Sequence, residues 1–259
     1  MAGVARVGFP IAALRTGTLP YLRVAAFQRR PVFDALPVVT HALANDLAWA
    51  ASQGAQLALF PECYLQGYAT DRPTLERRAL PVADASIATL VRQLGETGVT
   101  TIVGMVERRG EALFNTALVV GHRRLLGTYS KIHPNEDGVS PGTDCPVFAA
   151  GTWPFAVNIC NDANFPETAL RAAAAGARLI CYPLNNLLRP PVADRWRARS
   201  VRNLQARAVQ TGCWIASADV VGQHGGRVSF GCTIIVRPDG EIVARAAEQR
   251  EGVALFDLG

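Results

Sequence analysis

Apolar positions along the chain alternate between two rhythms. Residues 22–27 form a compact apolar run that reads as a first strand, and residues 36–54 space their apolar positions helically and end on a glycine, predicting an amphipathic helix. A second buried strand follows at 56–60. The alternation continues through an alanine-rich helix at 83–94, a strand at 100–106, a hairpin at 112–120 and 124–129, and a strand at 154–159. A helix at 167–175, a strand at 178–182 and a long helix at 194–210 come next. Strands at 214–221, 229–236, 242–245 and 253–256 close the chain, with a Pro238-Asp239-Gly240 turn before the third. Helices alternating with strands, then strand pairs, predict an α/β fold with a mixed sheet layered by helices. No repeat of solenoid period is visible.

The segment before this pattern lacks any Asp or Glu and carries a short apolar stretch at 8–14, flanked by Arg6 and Arg15 and broken by Pro10. It makes a poor secretory signal. Residues 1–20 are therefore read as a leader, disordered or mis-started, and residues 21–259 as one domain. At 49% hydrophobic over 259 residues, the chain can bury a large core without a second domain. No apolar run is long enough for a transmembrane helix.

The net charge of +5 comes from 26 Lys and Arg against 21 Asp and Glu, but the bases are dispersed. The densest group, Arg195, Arg197, Arg199 and Arg202, falls on the solvated side of the long helix, and no aromatic platform accompanies it, which argues against a nucleic-acid partner. Six cysteines without a CxxC pair suggest neither a zinc knuckle nor a disulfide framework, so a reducing, cytoplasmic compartment fits best.

Three stretches each deliver a reactive side chain at the end of an apolar strand: Phe60-Pro61-Glu62, Tyr129-Ser130-Lys131-Ile132-His133 and Ile159-Cys160-Asn161-Asp162. In α/β folds, strand ends carry the ligand-facing loops. A carboxylate directly after a buried strand needs a partner. Lys131, the only lysine among many arginines, offers a compact ammonium whose pKa can be tuned. Desolvation raises a carboxylate's pKa and a neighbouring ammonium lowers it, so Glu62 can reach the strength of a general base. The same ammonium would favour the Cys160 thiolate. Taken singly, a strand-end cysteine is most often a small buried hydrophobe; the three together point to nucleophilic catalysis.

These segments, with Gly67-Tyr68, Pro141-Gly142 and the run Ala163-Asn164-Phe165-Pro166-Glu167, resemble in order the signatures of the nitrilase superfamily of carbon-nitrogen hydrolases. Weaker echoes are Arg207-Ala208 and Phe230-Gly231-Cys232-Thr233. The resemblance implies a four-layer αββα sandwich, assembly as a homodimer or larger, and an amidase-like hydrolase without metal or organic cofactor. It further implies Glu62 as general base, Lys131 as oxyanion stabiliser, Cys160 as nucleophile forming a thioester, and Glu136 as a support for the lysine. His133 reads as structural. Asp162 reads as a cap of its loop or a substrate contact, and Asn185 and Asn186 as pocket groups or a loop turn.

The chain departs from relatives that hydrolyse N-carbamoyl-D-amino acids, which carry paired arginines where this sequence has Ala163 and Asn164, beside Asn161. Alanine and asparagine cannot form a bidentate carboxylate clamp, unless Arg189 or another loop arginine replaces it. Gln210 and Thr211 also stand where many relatives show glutamate and asparagine. The expected substrate is a small aliphatic or ω-amino amide, followed by an N-carbamoyl amine and a nitrile. An acyl transferase and a catalytically silent scaffold of the same fold are the readings from other classes.

Overall fold

The computed structural model describes residues 21–259. The leader expected at 1–20 lies outside the described residues. The elements run in the order β1 (Leu22–Gln28), α1 (Leu36–Ser52), β2 (Leu57–Leu59), α2 (Arg72–Arg78), α3 (Ala85–Leu94), β3 (Thr100–Arg109), β4 (Ala112–Gly121), β5 (Arg124–Ser130), β6 (Val147–Ala150) and β7 (Trp153–Val157). They continue with α4 (Pro166–Ala174), β8 (Leu179–Pro183), α5 (Pro190–Thr211), β9 (Trp214–Ala218), β10 (Gly222–His224), β11 (Arg227–Ser229), β12 (Ile234–Val236), β13 (Ile242–Arg245) and β14 (Gly252–Leu258).

Twelve of these strands form two six-stranded sheets, ordered β14-β1-β2-β3-β4-β5 and β13-β12-β9-β8-β7-β6. The two share one pairing scheme. In the first, parallel β1, β2 and β3 are flanked by antiparallel β14 on one side and the antiparallel pair β4-β5 on the other. In the second, parallel β7, β8 and β9 are flanked by antiparallel β6 and by β12-β13. Successive strand residues face opposite sides, so each sheet presents two apolar faces. On β1, Leu22, Val24 and Ala26 enter the core between the sheets, while Ala25 and Phe27 pack outward against α1 and α3. The outer face of the second sheet is covered by α4 and α5 through Ala169, Ala172, Leu204 and Ala208. The resulting αββα layering is the one expected.

Three elements escape the hydrophobic pattern. Helix α2 is short and polar, and forms because Asp71 accepts the Thr74 N–H at 3.0 Å and Pro73 stands in the first turn. Strand β6 pairs at an edge with alternating exposure, so its apolar signal is weak. The run expected as one strand at 229–236 is split into β11 and β12, because Gly231 adopts φ +85° with the Gln28 side chain against its Cα; a Cβ there would lie 2.2 Å from Gln28 Oε1. The helix at 190–211 starts four residues earlier than its periodicity indicates, with Pro190 in its first turn, and Arg195, Arg197, Arg199 and Arg202 are exposed on it as expected.

Phe155 is fully buried between the sheets, against Phe148 at 5.6 Å between ring centroids. Phe155→Ala should lower the unfolding free energy by about 3–5 kcal/mol, measured by urea titration; a loss under about 1 kcal/mol would show that this core is not the main stabilising layer.

Candidate active site

The loops after β2, β5 and β7 converge at one end of the sandwich. After β2, the chain turns sharply through Pro61-Glu62-Cys63, with Cys63 at φ +48°. This turn lies directly on β3 at Gly104, whose N–H donates to the Pro61 carbonyl at 3.3 Å while its carbonyl accepts from Leu65 at 3.1 Å. A Cβ at 104 would lie 2.3 Å from the Cys63 nitrogen, so only glycine permits the approach. The Glu62 N–H donates across the sandwich to the Leu184 carbonyl beyond β8 at 3.1 Å, tying the first sheet's loop to the second sheet.

Lys131 follows β5 directly, held by its N–H on the Asn115 carbonyl at 2.9 Å and by its carbonyl accepting from Gly142 at 2.8 Å. Its ammonium is buried and spends its three donors on Glu62 Oε1 at 2.8 Å, Glu136 Oε1 at 2.8 Å and Asn135 Oδ1 at 3.1 Å. Asn115 Nδ2 bridges the same two carboxylate oxygens at 2.7 Å each. Tyr68 places its ring 5.9 Å from Nζ. Glu136, offered by the resemblance as a support for the lysine, lies at hydrogen-bond distance from it, and Tyr68 belongs to the Gly67-Tyr68 signature; Asn115 was not singled out. A lone asparagine inside the apolar strand Leu113 to Val120 was the available signal.

Opposed forces set the charges. Burial pushes the Glu62 carboxyl up to about 7 against the pull of Lys131. Burial acts the same way on Glu136, but the Lys131 charge and hydrogen bonds from Lys131, Asn115 and the Asn135 N–H outweigh it and leave that carboxyl below its ordinary value. For Lys131 burial opposes the charge, and Glu62, Tyr68 and Glu136 still hold the ammonium well above its usual range. The second oxygen of Glu62, Oε2, is buried and takes no hydrogen bond among the described residues.

Cys160 begins the tight turn after β7 in the left-handed region, φ +40°, which side chains other than glycine adopt at a cost. Burial, reinforced by Glu62, raises its thiol well above the ordinary value; Lys131 and the Asn185 N–H, which bonds the sulfur, lower it less. Desolvation outweighs the lysine's attraction and favours the thiol over the thiolate expected beside an ammonium.

The other candidates divide. Asp162 is buried and accepts from Ile159 N–H at 2.9 Å, His133 N–H at 2.9 Å and Tyr129 Oη at 2.8 Å, so it fixes the Cys160 turn from below. Asn161 donates to the His133 carbonyl at 2.9 Å, and Asn164 bridges Asn161 and Asn203 at 2.8 and 2.6 Å. Ala163 is buried against the second sheet's outer layer. These four build the turn. His133 stacks on Phe165 at 3.7 Å between ring centroids. Asn186 is held by buried Asp219, which accepts its N–H at 3.0 Å and its amide at 2.7 Å. Among the described residues no cluster of His, Cys, Asp and Glu could hold a metal ion, and no helix is long and apolar enough to cross a membrane.

Comparison with known proteins places this geometry. The carbon-nitrogen hydrolase family profile matches residues 23–258. A nitrilase of Pyrococcus abyssi is 33% identical, over 81% of this chain and 79% of its own length. An omega-amidase of Danio rerio is 27% identical, over 81% and 78%. An amidase from Nesterenkonia sp. AN1, solved as a mutant after Michael addition of acrylamide at its active-site cysteine, superposes with a TM-score of 0.82 at 26% identity, covering 92% of this chain and 93% of that one.

Gly104→Ala should displace the Glu62 turn and break the Lys131–Glu62 contact. The expected outcome is a soluble protein with a lowered Tm and at least a hundredfold loss of any hydrolytic activity; an unchanged Tm and unchanged activity would show that the turn can be held without the close approach.

Proposed function

This chain belongs to the carbon-nitrogen hydrolase family, within the nitrilase superfamily, and from that premise we propose that it is a cysteine amidase releasing ammonia from a small aliphatic or ω-amino amide through a thioester. The observation that carries the reading is the buried cluster in which Glu62 keeps one oxygen free of hydrogen bonds among the described residues while the other is tied to a lysine whose three donors are spent.

In the proposed sequence, Glu62 Oε2 takes the Cys160 proton as sulfur attacks the amide carbonyl, forming the S–C bond. The developing oxyanion is stabilised by the Lys131 ammonium, which exchanges its longest bond, to Asn135, for the substrate oxygen, and by the N–H following Cys160. Glu62 then protonates the leaving nitrogen, the C–N bond breaks, and ammonia departs. Water, deprotonated by Glu62, attacks the thioester; collapse breaks the S–C bond and releases the acid and the thiol. Glu136 and Asn115 position the lysine and the base without exchanging protons with substrate. Neutral amide substrates suit a site whose strongest charges are already paired. The ties of Asn164 to Asn161 and Asn203 support ranking N-carbamoyl amino acids below simple amides, because neither Ala163 nor Asn164 carries a charge of its own.

An ammonia-release screen over amides, carbamoyl amines and nitriles tests this. The expected result is turnover of at least one short amide, abolished in Cys160→Ala with its fold intact by circular dichroism. Release from nitriles alone would replace amidase by nitrilase, and silence across the panel would favour a scaffold.

The pH profile follows from Glu62. Its raised pKa means the base is protonated below about 7, so kcat/KM should rise with pH through about 7 with unit slope and then level. An acid limb centred near the ordinary glutamate range would contradict the buried-base assignment.

A further inference from the structure

The loop from Leu184 to Leu188, between β8 and α5, sends its N–H groups two ways. Those of Leu184, Asn186 and Leu188 go to the Ala218 carbonyl at 2.8 Å, the Asp219 carboxylate at 3.0 Å and the Val228 carbonyl at 3.0 Å. The intervening Asn185 N–H goes to the Cys160 sulfur. The Leu187 N–H closes on Asn185 Oδ1 at 3.3 Å, the turn that an asparagine makes with backbone two residues on. Each N–H of the loop thus has an acceptor, and that of Asn185 is the one that meets a reacting atom. The Leu184 carbonyl also takes the Glu62 N–H at 3.1 Å, so one loop sets both the base and the sulfur.

Asp219 is the middle anchor. It follows β9, is fully buried, and its carboxylate accepts the Asn186 N–H, the Asn186 side-chain amide at 2.7 Å and the N–H groups of Val220 and Cys232. Its own N–H donates to Thr233 Oγ1 at 2.9 Å. Burial pushes this carboxyl up to about 6, against the pull of those donors. Arg197, which lines the same small pocket, pairs with Glu248 through its Nε at 2.9 Å. An asparagine in place of Asp219 would accept at one oxygen only, so the carboxylate is what lets this position gather N–H groups from both sides. Its two effects on the nucleophile have opposite signs. Burial dominates the Cys160 thiol; beneath it, the Asn185 N–H lowers the thiol more than the Asp219 charge raises it.

We propose that the Asn185 backbone N–H is a catalytic donor to the Cys160 sulfur and that Asp219 is the positioning residue that holds it there through Asn186. This rests on the cysteine hydrolase reading and gives the sulfur a stabiliser separate from those of the oxyanion. As Glu62 takes the thiol proton and the S–C bond forms, the charge passing through sulfur is met by this N–H. When the tetrahedral adduct of water and thioester collapses, the S–C electron pair stays on sulfur against the same N–H, until the proton that Glu62 took from water returns to it. Asn185 serves the site through its backbone, its side-chain oxygen being taken by the turn.

Alkylation of Cys160 by iodoacetamide at one mildly alkaline pH reads the thiolate without any substrate, and peptide mass spectrometry confirms the site. The expected result is alkylation roughly two- to tenfold slower in Asp219→Ala, with a smaller slowing in Asn186→Ala, which keeps the charge and the backbone tie. Ser217→Ala removes a hydroxyl that bonds the Cys232 carbonyl at 2.6 Å in the same β9-β12 contact, and should lower Tm while alkylation stays at the wild-type rate. On a short amide, kcat should fall in parallel in the first two variants without a rise of KM, because the donor faces sulfur and not substrate. Faster alkylation in Asp219→Ala would show that Asp219 acts by its charge or by closing the loop over the thiol, and overturns the assignment. An unchanged rate, an equal slowing in Ser217→Ala, or a raised KM at unchanged kcat overturns it too. If Asp219→Ala fails to fold, Asn186→Ala decides alone, and a wild-type alkylation rate there removes the donor. Slowed alkylation in an enzyme that turns over no amide keeps the donor and removes the amidase reading; turnover with wild-type kcat and alkylation in both variants does the reverse.

Discussion

The buried ammonium of Lys131 is the constraint to which the rest of the site answers. An isolated charge of that kind costs several kcal/mol to desolvate, and here each of its three protons meets an oxygen, two of them on carboxylates. Two carboxylates on one ammonium leave a surplus negative charge in a dry place, which burial resolves by raising Glu62 towards neutrality while Glu136 stays ionised. The asymmetry follows from surroundings. Glu136 also receives the Asn135 N–H at 2.8 Å on its second oxygen, whereas the second oxygen of Glu62 has no donor among the described residues. One carboxylate is thus a fixed counter-charge and the other a base with a free lone pair.

Holding that arrangement requires two sheets. Glu62 and Lys131 leave the first sheet, Cys160 leaves the second, and the Glu62–Leu184 bond spans the sandwich between them. The repeated pairing scheme of the sheets brings the C-terminal ends of β2 and β7 to the same end of the molecule, where α/β sheets present their loops. The left-handed backbone at Cys63 and Cys160 lies at this end and is held by neighbours that leave little freedom: β3 at Gly104 on one side, Asp162 on the other.

Much of this was legible in residue order because strand-end chemistry stands out against apolar runs: Glu62 after Pro61, a lone lysine at 131, Cys160 before a polar turn. The supporting contacts were less so. Asn115 carries only the weak signal of a polar residue in a buried strand, and its role depends on β4 lying between β3 and β5, a neighbourhood that no local spacing encodes. The Asn161 to Asn164 turn was legible as polar, but its side chains bond one another and α5, a partner nearly forty residues downstream. The hairpin β10-β11 was hidden for a different reason. Its two strands have three residues each, too short for a period, and its position is fixed by bonds to the Leu188 loop.

The central claim is that Cys160 carries the acyl group while Glu62 and Lys131 move and stabilise charge around it. Rapid acid quench of the enzyme turning over a short amide, followed by mass spectrometry of its cysteine peptides, tests this most directly. The account predicts a transient acyl adduct on the Cys160 peptide alone, discharged as a hydroxamate by hydroxylamine. Turnover with no adduct, or an adduct on any of the other five cysteines, would contradict it.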